Sequence, residues 1–528
     1  MTWIGAVYAA ANWLYFSAGL LAAGAAASLL SPRLRSRFSA AAADPRRAWL
    51  PLAVLGLAFP AFFVLLKLAA LRAFLLTGDT GRMVHMVWKA AHGWGLHSSD
   101  LCGRSYLAVH FAFACALFAP LIRLWPSAAV LAAGQGAAVA SSVYAVYLLA
   151  EKRTASPASA WLLAFAAASC PLFQDLSSTY IDNGVFALPL FLWGVYSWES
   201  GRRWTAAGLG LLLLTTKEEA PFIFLGIGAY LCLRSERRRL ALGAGLAVAS
   251  IVAWFAELRV ISAYREGLDC FNYWRFFDAL GGTAAGVRDC ALHRPWLFLT
   301  ALAVPPVKLL TVLRVLASLA FAPLAAGWAI LPALAAWAPH QLSDPSGQYH
   351  RLLGHYSSFV CGPLLWASVI GFQTLKTKLS PRGFKAFVVL LLTMAAAADF
   401  KFAGFYRERL MPASWREAVP KMLSLIPEDS KLWCESYLLP DLALRPYVKG
   451  VPLNLPYCYF EEGLFLPDHV LLSTYALRVS DPATRERLTE FLRRNRYELI
   501  RQDQDLVLLR HPDWRAILKD PPRFIRLP

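Results

Sequence analysis

Long apolar stretches separated by short polar connections occupy residues 3–404 of the chain. A helix needs about 20 apolar residues to cross a bilayer. By this measure the candidate spans lie at 3–30, 49–76, 106–124, 128–150, 158–173, 184–199, 204–216, 219–233, 240–261, 296–315, 317–338, 356–374 and 384–404. Several of the middle segments are shorter than a normal span. The pattern predicts an α-helical polytopic membrane protein with about 11–13 transmembrane helices.

Residues 405–528 have a different pattern, in which charged residues are frequent and turn-forming residues separate short apolar runs. The expected elements are helices at Ala413–Leu425 and Pro482–Arg494, strands at Lys431–Cys434 and Val470–Ser473, and a terminal hairpin of Tyr497–Ile500 with Leu506–Leu509. We therefore expect two domains, a transmembrane domain at 1–404 and a small soluble α/β domain at 405–528.

The composition agrees with a membrane protein. Hydrophobic residues make up 58% of the 528 residues and charged residues 16%, and the mean hydropathy is +0.46. A soluble globular chain is about 45–50% apolar and about 25% charged. These values exclude a soluble multidomain enzyme, a disordered protein and a disulfide-rich scaffold.

The net charge of +18 is distributed in a way that argues against nucleic-acid binding. From Phe405 to the end there are 19 Lys and Arg and 17 Asp and Glu residues, a net +2, so +16 belongs to the apolar part. There the basic residues form short clusters between apolar runs, at 33–47, 202–203, 234–239 and 376–385. Such clusters are typical of cytoplasmic loops. They place the 77–105 loop and the tail on the outer side of the membrane.

One segment does not fit a simple count of spans. The orientation counted forward from the first basic cluster conflicts near 106–150 with the orientation counted backward from the last one. The segment 106–124, interrupted by Pro120, is therefore the first candidate for one that fails to cross. Irregular segments are tolerated in membranes where protein or a water-filled cavity surrounds them.

Asp79 is the first candidate for chemistry, because ionisable groups at the edge of apolar spans are costly and often functional. It lies in the run LTGDTGR (76–82), at the outer end of the second span and before a helix expected at Met83–Ala91. A carboxylate there can act as a base or hold a divalent ion at the membrane surface. An ordinary helix-capping role explains the residue equally well.

Three further polar residues lie beside apolar segments on the outer side. His110 stands early in the segment 106–124, where a packed interfacial histidine is the alternative. Asp175 and Asp182 lie in the second outer loop, and at least one of them is expected to be a turn former or cap. Asp182 is closer to the following span and is the preferred candidate.

Lys217, Glu218 and Glu219 are three adjacent charges between two short apolar segments. Such a group is costly unless it is paired or solvated. The functional interpretation is a lysine that meets an anionic lipid headgroup, with Glu218 or Glu219 orienting it. A tight, solvated hairpin tip is the alternative.

A last cluster, YHRLLGHY (349–356), stands at the entrance of the span 356–374. Arg351, His355 and Tyr356 are suitable donors to a phosphate oxygen, although a belt of interfacial anchors would have the same composition. All these candidates lie on the same outer face. A cavity with carboxylates, a lysine and such donors suits a lipid phosphate leaving group, whereas a transporter more often buries such residues near the midplane.

Several short motifs resemble those of one family. They are Thr77-Gly78-Asp79 with the run VWKAAHG (87–93), VHF (109–111) with APL (119–121) and WPS (125–127), Lys217-Glu218-Glu219-Ala220, and His355-Tyr356. Over roughly residues 50–510 the chain is similar to the bacterial membrane-protein family of unknown function numbered 2079. That family is grouped with the GT-C glycosyltransferases, which include oligosaccharyl-, mannosyl- and aminoarabinose transferases.

The resemblance implies a fold, a reaction and a location. It implies a GT-C-like transmembrane domain in the bacterial cytoplasmic membrane, with the small tail domain outside. It implies inverting transfer of a sugar from a polyprenyl-phosphate donor, with Asp79 as the base or metal-holding residue and Asp182 or Asp175 as a second acidic residue. A divalent metal ion at Asp79 and Asp182 is the only cofactor it suggests. Lys217, Glu218, His110, Arg351, His355 and Tyr356 would bind the donor phosphate.

Two other functions remain open at this point. A transporter or lipid flippase would use the same cavity, with broken helices and charges at mid-depth. A non-catalytic membrane subunit would tolerate changes at Asp79 and Lys217. The loop positions of the charges favour the transferase over the transporter. The sugar and the acceptor stay unassigned.

Overall fold

Apolar helices dominate the chain, and a small sheet follows them. The structure, a computed structural model, describes residues 3–31, 33–34, 36, 49–73, 76, 78–99, 105–178, 181–234, 237–265, 273–344, 352, 354–408, 413–451, 464–479, 482–519 and 524–525. In chain order the helices of the transmembrane part are α1 (Trp3–Leu30), α2 (Phe59–Arg72), α3 (Gly78–Ala91), α4 (Ala119–Leu124), α5 (Ala128–Thr154), α6 (Pro157–Ser169), α7 (Pro171–Ser178), α8 (Ala187–Glu199), α9 (Arg203–Leu214), α10 (Ala220–Cys232), α11 (Arg237–Arg265), α12 (Ala284–His293), α13 (Pro295–Ala303), α14 (Val307–Ser318), α15 (Leu331–Leu342), α16 (Ser358–Lys378) and α17 (Pro381–Glu408).

Within the described ranges, six helices are long and apolar enough to cross a membrane, judged by length and composition. They are Leu52–Arg72, Ala128–Thr154, Arg239–Arg265, Ala322–Leu342, Gly354–Lys378 and Pro381–Ala398. α13 and α14 pass the same test as a pair bent by 60°, and shorter apolar helices accompany them. The polytopic α-helical fold is thus confirmed, while the exact number of spans stays a prediction.

The segment 106–124 is not a continuous helix. Two short 3₁₀ turns, Tyr106–Ala108 and Ala114–Phe118, precede α4 and are separated by irregular backbone. In this stretch the Phe113 and Ala114 backbone N–H groups donate to the carbonyl oxygen of Thr215, at 2.9 and 3.1 Å. The break shows that this segment is not one regular helix, whereas its failure to cross the membrane stays a prediction. The two hydrogen bonds also join the segment to the loop that carries Lys217.

The bent pair α13–α14 is tied to its neighbour by a buried lysine. Lys308 Nζ donates to the carbonyl oxygens of Ala301, Gln341 and Ser343, at 2.6, 2.8 and 2.7 Å. Gln341 and Ser343 lie at the end of α15, where carbonyl groups lack partners within the helix. The ammonium group therefore donates hydrogen bonds both to carbonyl groups at the end of α15 and to a carbonyl group near the break between α13 and α14.

The tail forms a small α/β unit, as the sequence predicts. Its elements are α18 (Ala413–Leu423), β1 (Leu432–Glu435), α19 (Leu439–Leu442), β2 (Val448–Val451), β3 (Leu464–Phe465), β4 (His469–Ser473), α20 (Thr474–Val479), α21 (Pro482–Arg494), β5 (Glu498–Asp503), β6 (Leu506–Arg510), α22 (Trp514–Lys519) and β7 (Phe524–Ile525). One sheet has the order β2-β1-β4-β6-β5, and β3 pairs with β7. β1 runs parallel to β2 and β4, whereas β4, β6 and β5 are antiparallel.

The predicted elements of the tail lie close to observed ones, but the sequence did not indicate β2, β3 or β7. The residues of β2, VKGV, include a lysine and a glycine, which are depleted in strands. The expected domain boundary after residue 404 falls within the last turns of α17, which continues to Glu408.

The connection from β1 to β2 packs along α3. Its contacts extend from the first turn of α3 to the segment that follows the last turn of that helix. His85 in α3 donates from Nδ1 to the Ala443 carbonyl oxygen (2.8 Å). Ser99 Oγ donates to the Val448 carbonyl oxygen (2.7 Å) and accepts from the Val448 N–H (3.0 Å). At Gly81 a Cβ would lie 2.4 Å from Leu439 Cγ, so glycine permits the close approach of α3 and α19. The C-terminal sheet region is therefore packed against the helix that carries Asp79.

Gly81→Ala should loosen this packing. The added Cβ would also lie 2.7 Å from the carbonyl carbon of Leu439, so the backbone must move, and overpacking of this kind costs about 1–3 kcal/mol. Thermal unfolding of the full chain in nanodiscs should show a lower Tm. Gly208→Ala is the control, because a Cβ there meets no described atom within 4 Å. Equal Tm values for the two variants would contradict the close contact.

Candidate active site

Asp79 lies in the first turn of α3, one residue after the helix begins. Its side chain is 52% exposed, and its Oδ1 is 3.0 Å from Arg82 Nη1. The neighbouring Thr80 accepts a hydrogen bond at Oγ1 from the Ile181 N–H (3.1 Å), which ties this turn to the segment between α7 and α8. Asp79 therefore stands inside the helix rather than capping it from outside, and its carboxylate is accessible.

Asp182 occupies a buried position at the start of the 3₁₀ turn Asn183–Phe186. Its Oδ1 accepts from the Gly184 N–H at 2.7 Å and lies 3.5 Å from Lys217 Nζ. A Cβ at residue 184 would lie 3.0 Å from Asp182 Oδ1 and 3.4 Å from Lys217 Cδ. The glycine thus leaves room for the carboxylate and the lysine to meet.

Lys217 lies in the connection between α9 and α10, and its side chain is only 4% exposed. Asn183 holds this connection, since its Nδ2 donates to the Thr216 carbonyl oxygen and its Oδ1 accepts from the Cys115 N–H at 2.8 Å. The predicted Lys217, Glu218 and Glu219 cluster is buried throughout, so the interpretation as a solvated hairpin tip is wrong.

The pKa values of the buried pair follow from opposing effects. Burial by itself would lower the pKa of Lys217, but the carboxylates of Asp182 and Glu219 outweigh it and raise the pKa. Burial would likewise raise the pKa of Asp182, but Lys217, with His355 and His110, lowers it. Both groups are therefore held in their charged forms.

Glu218 has a different partner from the one expected. The sequence suggests that it orients Lys217, whereas in the structure its Oε1 is 2.8 Å from His110 Nδ1 and its Oε2 accepts from the Phe111 N–H at 3.1 Å. Burial would raise the pKa of Glu218, but His110 outweighs that effect and lowers it. Glu218 thus fixes His110 and the irregular segment, and Asp182 is the residue in contact with Lys217.

His355 and Tyr356 form a half-buried 3₁₀ turn at the entrance of α16. Their ring centroids are 4.2 Å apart. Asp175 holds this turn, because its Oδ2 accepts the Gly354 N–H, and Asp175 also interacts electrostatically with Lys67, which is buried in α2. The predicted donor Arg351 lies outside the described residues.

These residues form one electrostatic unit, although they come from separate segments of the chain. His355 interacts with Asp79, Asp182, Lys217 and His110. Tyr356 interacts with Asp79, Asp182, Lys217 and Glu219. The structure therefore brings into one cluster six residues that the sequence indicated separately, namely Asp79, His110, Asp182, Lys217, His355 and Tyr356.

Tyr106 belongs to the same unit, although the sequence analysis did not select it. It is buried, interacts with Asp79, Asp182, Lys217 and Arg82, and its ring centroid is 5.7 Å from that of His110. Burial, aided by Asp182, raises the pKa of its phenol, so the hydroxyl group stays protonated. A tyrosine at the start of an apolar segment is typical of an interfacial anchor. The sequence around Tyr106 therefore did not indicate a functional residue.

The donor set does not fit a divalent ion. Each of the two candidate carboxylates already faces a protein cation, Arg82 for Asp79 and Lys217 for Asp182. Among the described residues no group of three or more His, Cys, Asp and Glu side chains could hold a metal ion. Dependence on a metal stays a prediction from the family resemblance.

Comparisons with known proteins agree with the motifs. A family model described as "Predicted membrane protein (DUF2079)" matches residues 72–508. Crystal structures of ArnT from Cupriavidus metallidurans, bound to undecaprenyl phosphate and in the apo state, align with 90% and 88% of this chain and 99% of theirs. Their TM-scores are 0.46 and 0.45, at 14% identity in both cases. This likeness transfers neither an activity nor a residue role, and no curated protein matches the sequence.

The contact between Lys217 and Asp182 can be tested by substituting each residue alone and both together. Lys217→Gln should leave the charge of Asp182 uncompensated and destabilise the protein by about 3–5 kcal/mol, as should Asp182→Asn. The double variant should lose clearly less than the sum of the two, measured by denaturant unfolding in detergent. The exposed pair Arg478 and Asp505, at 3.1 Å, is the matched control and should show a coupling of about 0–1 kcal/mol. Additive effects at Lys217 and Asp182 would contradict the contact.

Proposed function

We propose that this chain, which belongs to the DUF2079 family of predicted membrane proteins, is a membrane glycosyltransferase of the GT-C type. It transfers a sugar from a polyprenyl-phosphate donor to an acceptor at the outer face of the bacterial cytoplasmic membrane. The observation that carries the proposal is the convergence of an accessible carboxylate with a buried, charged lysine and a histidine–tyrosine pair. These are the groups that a transfer with a phosphate leaving group needs.

Asp79 is the base in this proposal. Its carboxylate is the most exposed in the cluster, it stands in the first turn of a helix, and Arg82 keeps a positive charge beside it. An exposed carboxylate in this position can accept a proton from an acceptor hydroxyl group. Asp182 has a positioning role, because its carboxylate contacts Lys217 and the Gly184 N–H.

Lys217, His355 and Tyr356 stabilise the departing phosphate. Lys217 is held in its charged form in a buried place, where an interaction with developing negative charge is stronger than in water. His355 and Tyr356 present N–H and O–H donors at the entrance of α16. His110 is oriented by Glu218 beside them and can assist in binding the donor phosphate.

The proposed sugar transfer is a single displacement at the anomeric carbon of the donor. The acceptor hydroxyl gives its proton to Asp79, and its oxygen forms a bond to the anomeric carbon of the donor sugar. The bond between that carbon and the phosphate oxygen breaks, and its electron pair leaves with the polyprenyl phosphate. Attack from the side opposite the leaving group inverts the anomeric centre. Asp79 returns its proton to water after the product leaves.

Transport by the same cavity is the alternative that the sequence left open, and broken helices with charges at mid-depth would support it. Among the helices that the structure describes, α13 and α14 form one bent pair, which is associated with a buried lysine. That lysine, Lys308, is already bonded to three carbonyl oxygens. Its contacts are those of a structural tie, so the bent pair gives no separate support to transport.

Asp79→Asn tests the proposal directly. Proteoliposomes containing the protein are given undecaprenyl phosphate linked to a radiolabelled hexose, and release of the hexose from the lipid is measured. Loss of the base should lower the rate by about 10²–10⁴-fold while leaving Tm near that of the unchanged protein. Asp289→Asn, which removes an exposed carboxylate on α12, should retain full activity. Lys217→Gln should also lower the rate.

The outcome separates the alternatives. If the intact labelled lipid crosses the membrane without cleavage, the protein is a transporter and not a transferase. If Asp79→Asn cleaves the donor as fast as the unchanged protein, Asp79 is not the base. If neither cleavage nor movement occurs with any hexose donor, the proposed function fails.

A further inference from the structure

The Tyr106 hydroxyl group forms no hydrogen bond within the part of the chain that the structure describes. The side chain that carries it is only 6% exposed. A buried hydroxyl group without a partner is costly, whereas an apolar group of the same shape in its place is neutral or stabilising. Phenylalanine would therefore suit the packing at this position better than tyrosine. The hydroxyl group calls for a reason other than the stability of the fold.

The position of Tyr106 does not depend on its hydroxyl group. Its backbone N–H donates to the Leu96 carbonyl oxygen at 2.6 Å, and its own carbonyl oxygen accepts from the N–H groups of Val109 and His110, at 2.9 and 3.1 Å. The ring lies beside the imidazole of His110, with the centroids 5.7 Å apart. These contacts hold the residue between the segment after α3 and the irregular segment, so removal of the hydroxyl group alone leaves the ring in place.

The charged groups around Tyr106 are those of the proposed reaction. It interacts electrostatically with Asp79, with Asp182 and with Lys217. The interaction with Lys217 is also among those that set the charge state of the lysine. The tyrosine is therefore close both to the proposed base and to the cation that stabilises the departing phosphate.

A bound molecule can reach the Tyr106 hydroxyl group. Several buried polar atoms of the described chain lack a partner because protein atoms enclose them completely, among them Gln135 Oε1 and Glu257 Oε2. The Tyr106 oxygen is not one of these enclosed atoms. Its side chain is thus buried up to the hydroxyl group, while the group itself stays accessible.

The chemistry of the neighbours favours an anionic oxygen as the partner of this hydroxyl group. A protonated phenol has one O–H to donate, and a hydrogen bond to an ionised acceptor is roughly twice as strong as one to a neutral acceptor. The carboxylates of Asp79 and Asp182 are already in contact with Arg82 and Lys217. An anion drawn to the ammonium group of Lys217 therefore arrives beside a donor that adds no further charge.

We propose that Tyr106 is a further catalytic residue, whose hydroxyl group donates a hydrogen bond to the leaving phosphate oxygen of the polyprenyl-phosphate donor, beside Lys217. This inference rests on the proposed function, since it names a contact made in the same reaction. When the bond between the anomeric carbon and that oxygen breaks, the electron pair stays on the oxygen and the phenol keeps its proton. The hydrogen bond strengthens as the negative charge develops, so it stabilises the transition state more than the bound donor.

Tyr106→Phe removes the hydroxyl group alone and tests this role. In proteoliposomes with the labelled donor, kcat for cleavage should fall about 10²–10³-fold, the usual effect of losing one donor to a developing oxyanion, while KM changes less. Undecaprenyl phosphate carries the developed charge in full. Its affinity for the full-length protein in nanodiscs, measured by microscale thermophoresis, should fall about tenfold, the usual effect of losing a hydrogen bond to a charged group. The Tm should stay equal or rise, because the hydroxyl group has no partner within the described chain.

Tyr497→Phe is the matched control. The Tyr497 hydroxyl group donates to the Pro467 carbonyl oxygen at 2.6 Å, within the C-terminal sheet region. Its removal should lower the Tm and leave both donor cleavage and the affinity for undecaprenyl phosphate unchanged. The two tyrosines are thus expected to give opposite results, one in activity and the other in stability.

Three results would overturn the inference. They are a kcat in Tyr106→Phe equal to that of the unchanged protein, an unchanged affinity for undecaprenyl phosphate, and a loss of activity that comes with a lower Tm, which would mean a structural role. Cleavage of the donor by the unchanged protein is measured alongside. Absence of that cleavage refutes the proposed function, whereas normal cleavage with no effect at Tyr106 refutes this inference alone.

Discussion

Lys217 and Asp182 are buried together in a strongly apolar chain, 3.5 Å apart. Removing either partner would leave a charge in surroundings that cannot solvate it, and such a loss is far more costly than the pair itself is stabilising. The pair therefore constrains its neighbours. Gly184 must lack a side chain, Asn183 must hold the Thr216 carbonyl, and the connection between α9 and α10 must stay in place. The other groups of the site are arranged around this fixed charge.

A second constraint comes from the C-terminal sheet region. The connection from β1 to β2 follows α3 through contacts at Gly81, His85 and Ser99, so the helix that carries Asp79 also packs against this region. The accessible carboxylate and the buried lysine are thus positioned by different parts of the chain. A disturbance of the sheet region is expected to reach the site through α3, without any change in the long apolar helices.

The irregular backbone at 109–113 is held in place by residues of the site and its neighbours. Its N–H groups need partners where water is scarce, and Thr215 and Glu218 supply them. The same contacts hold His110 beside Glu218. Asp182 interacts with His110 and with His355, which reach it from distant segments of the chain.

The sequence by itself determined the helical membrane class, the α/β tail and most of its elements, because hydrophobic periodicity and turn residues are local signals. It also indicated Asp79, Asp182, Lys217, His110, His355 and Tyr356 as separate costly groups. Only the tertiary structure decided that Asp182 contacts Lys217, that Glu218 contacts His110, and that Tyr106 belongs to the site. Partners more than thirty residues apart leave no periodic trace in a single sequence. Packing alone decides which of them meet.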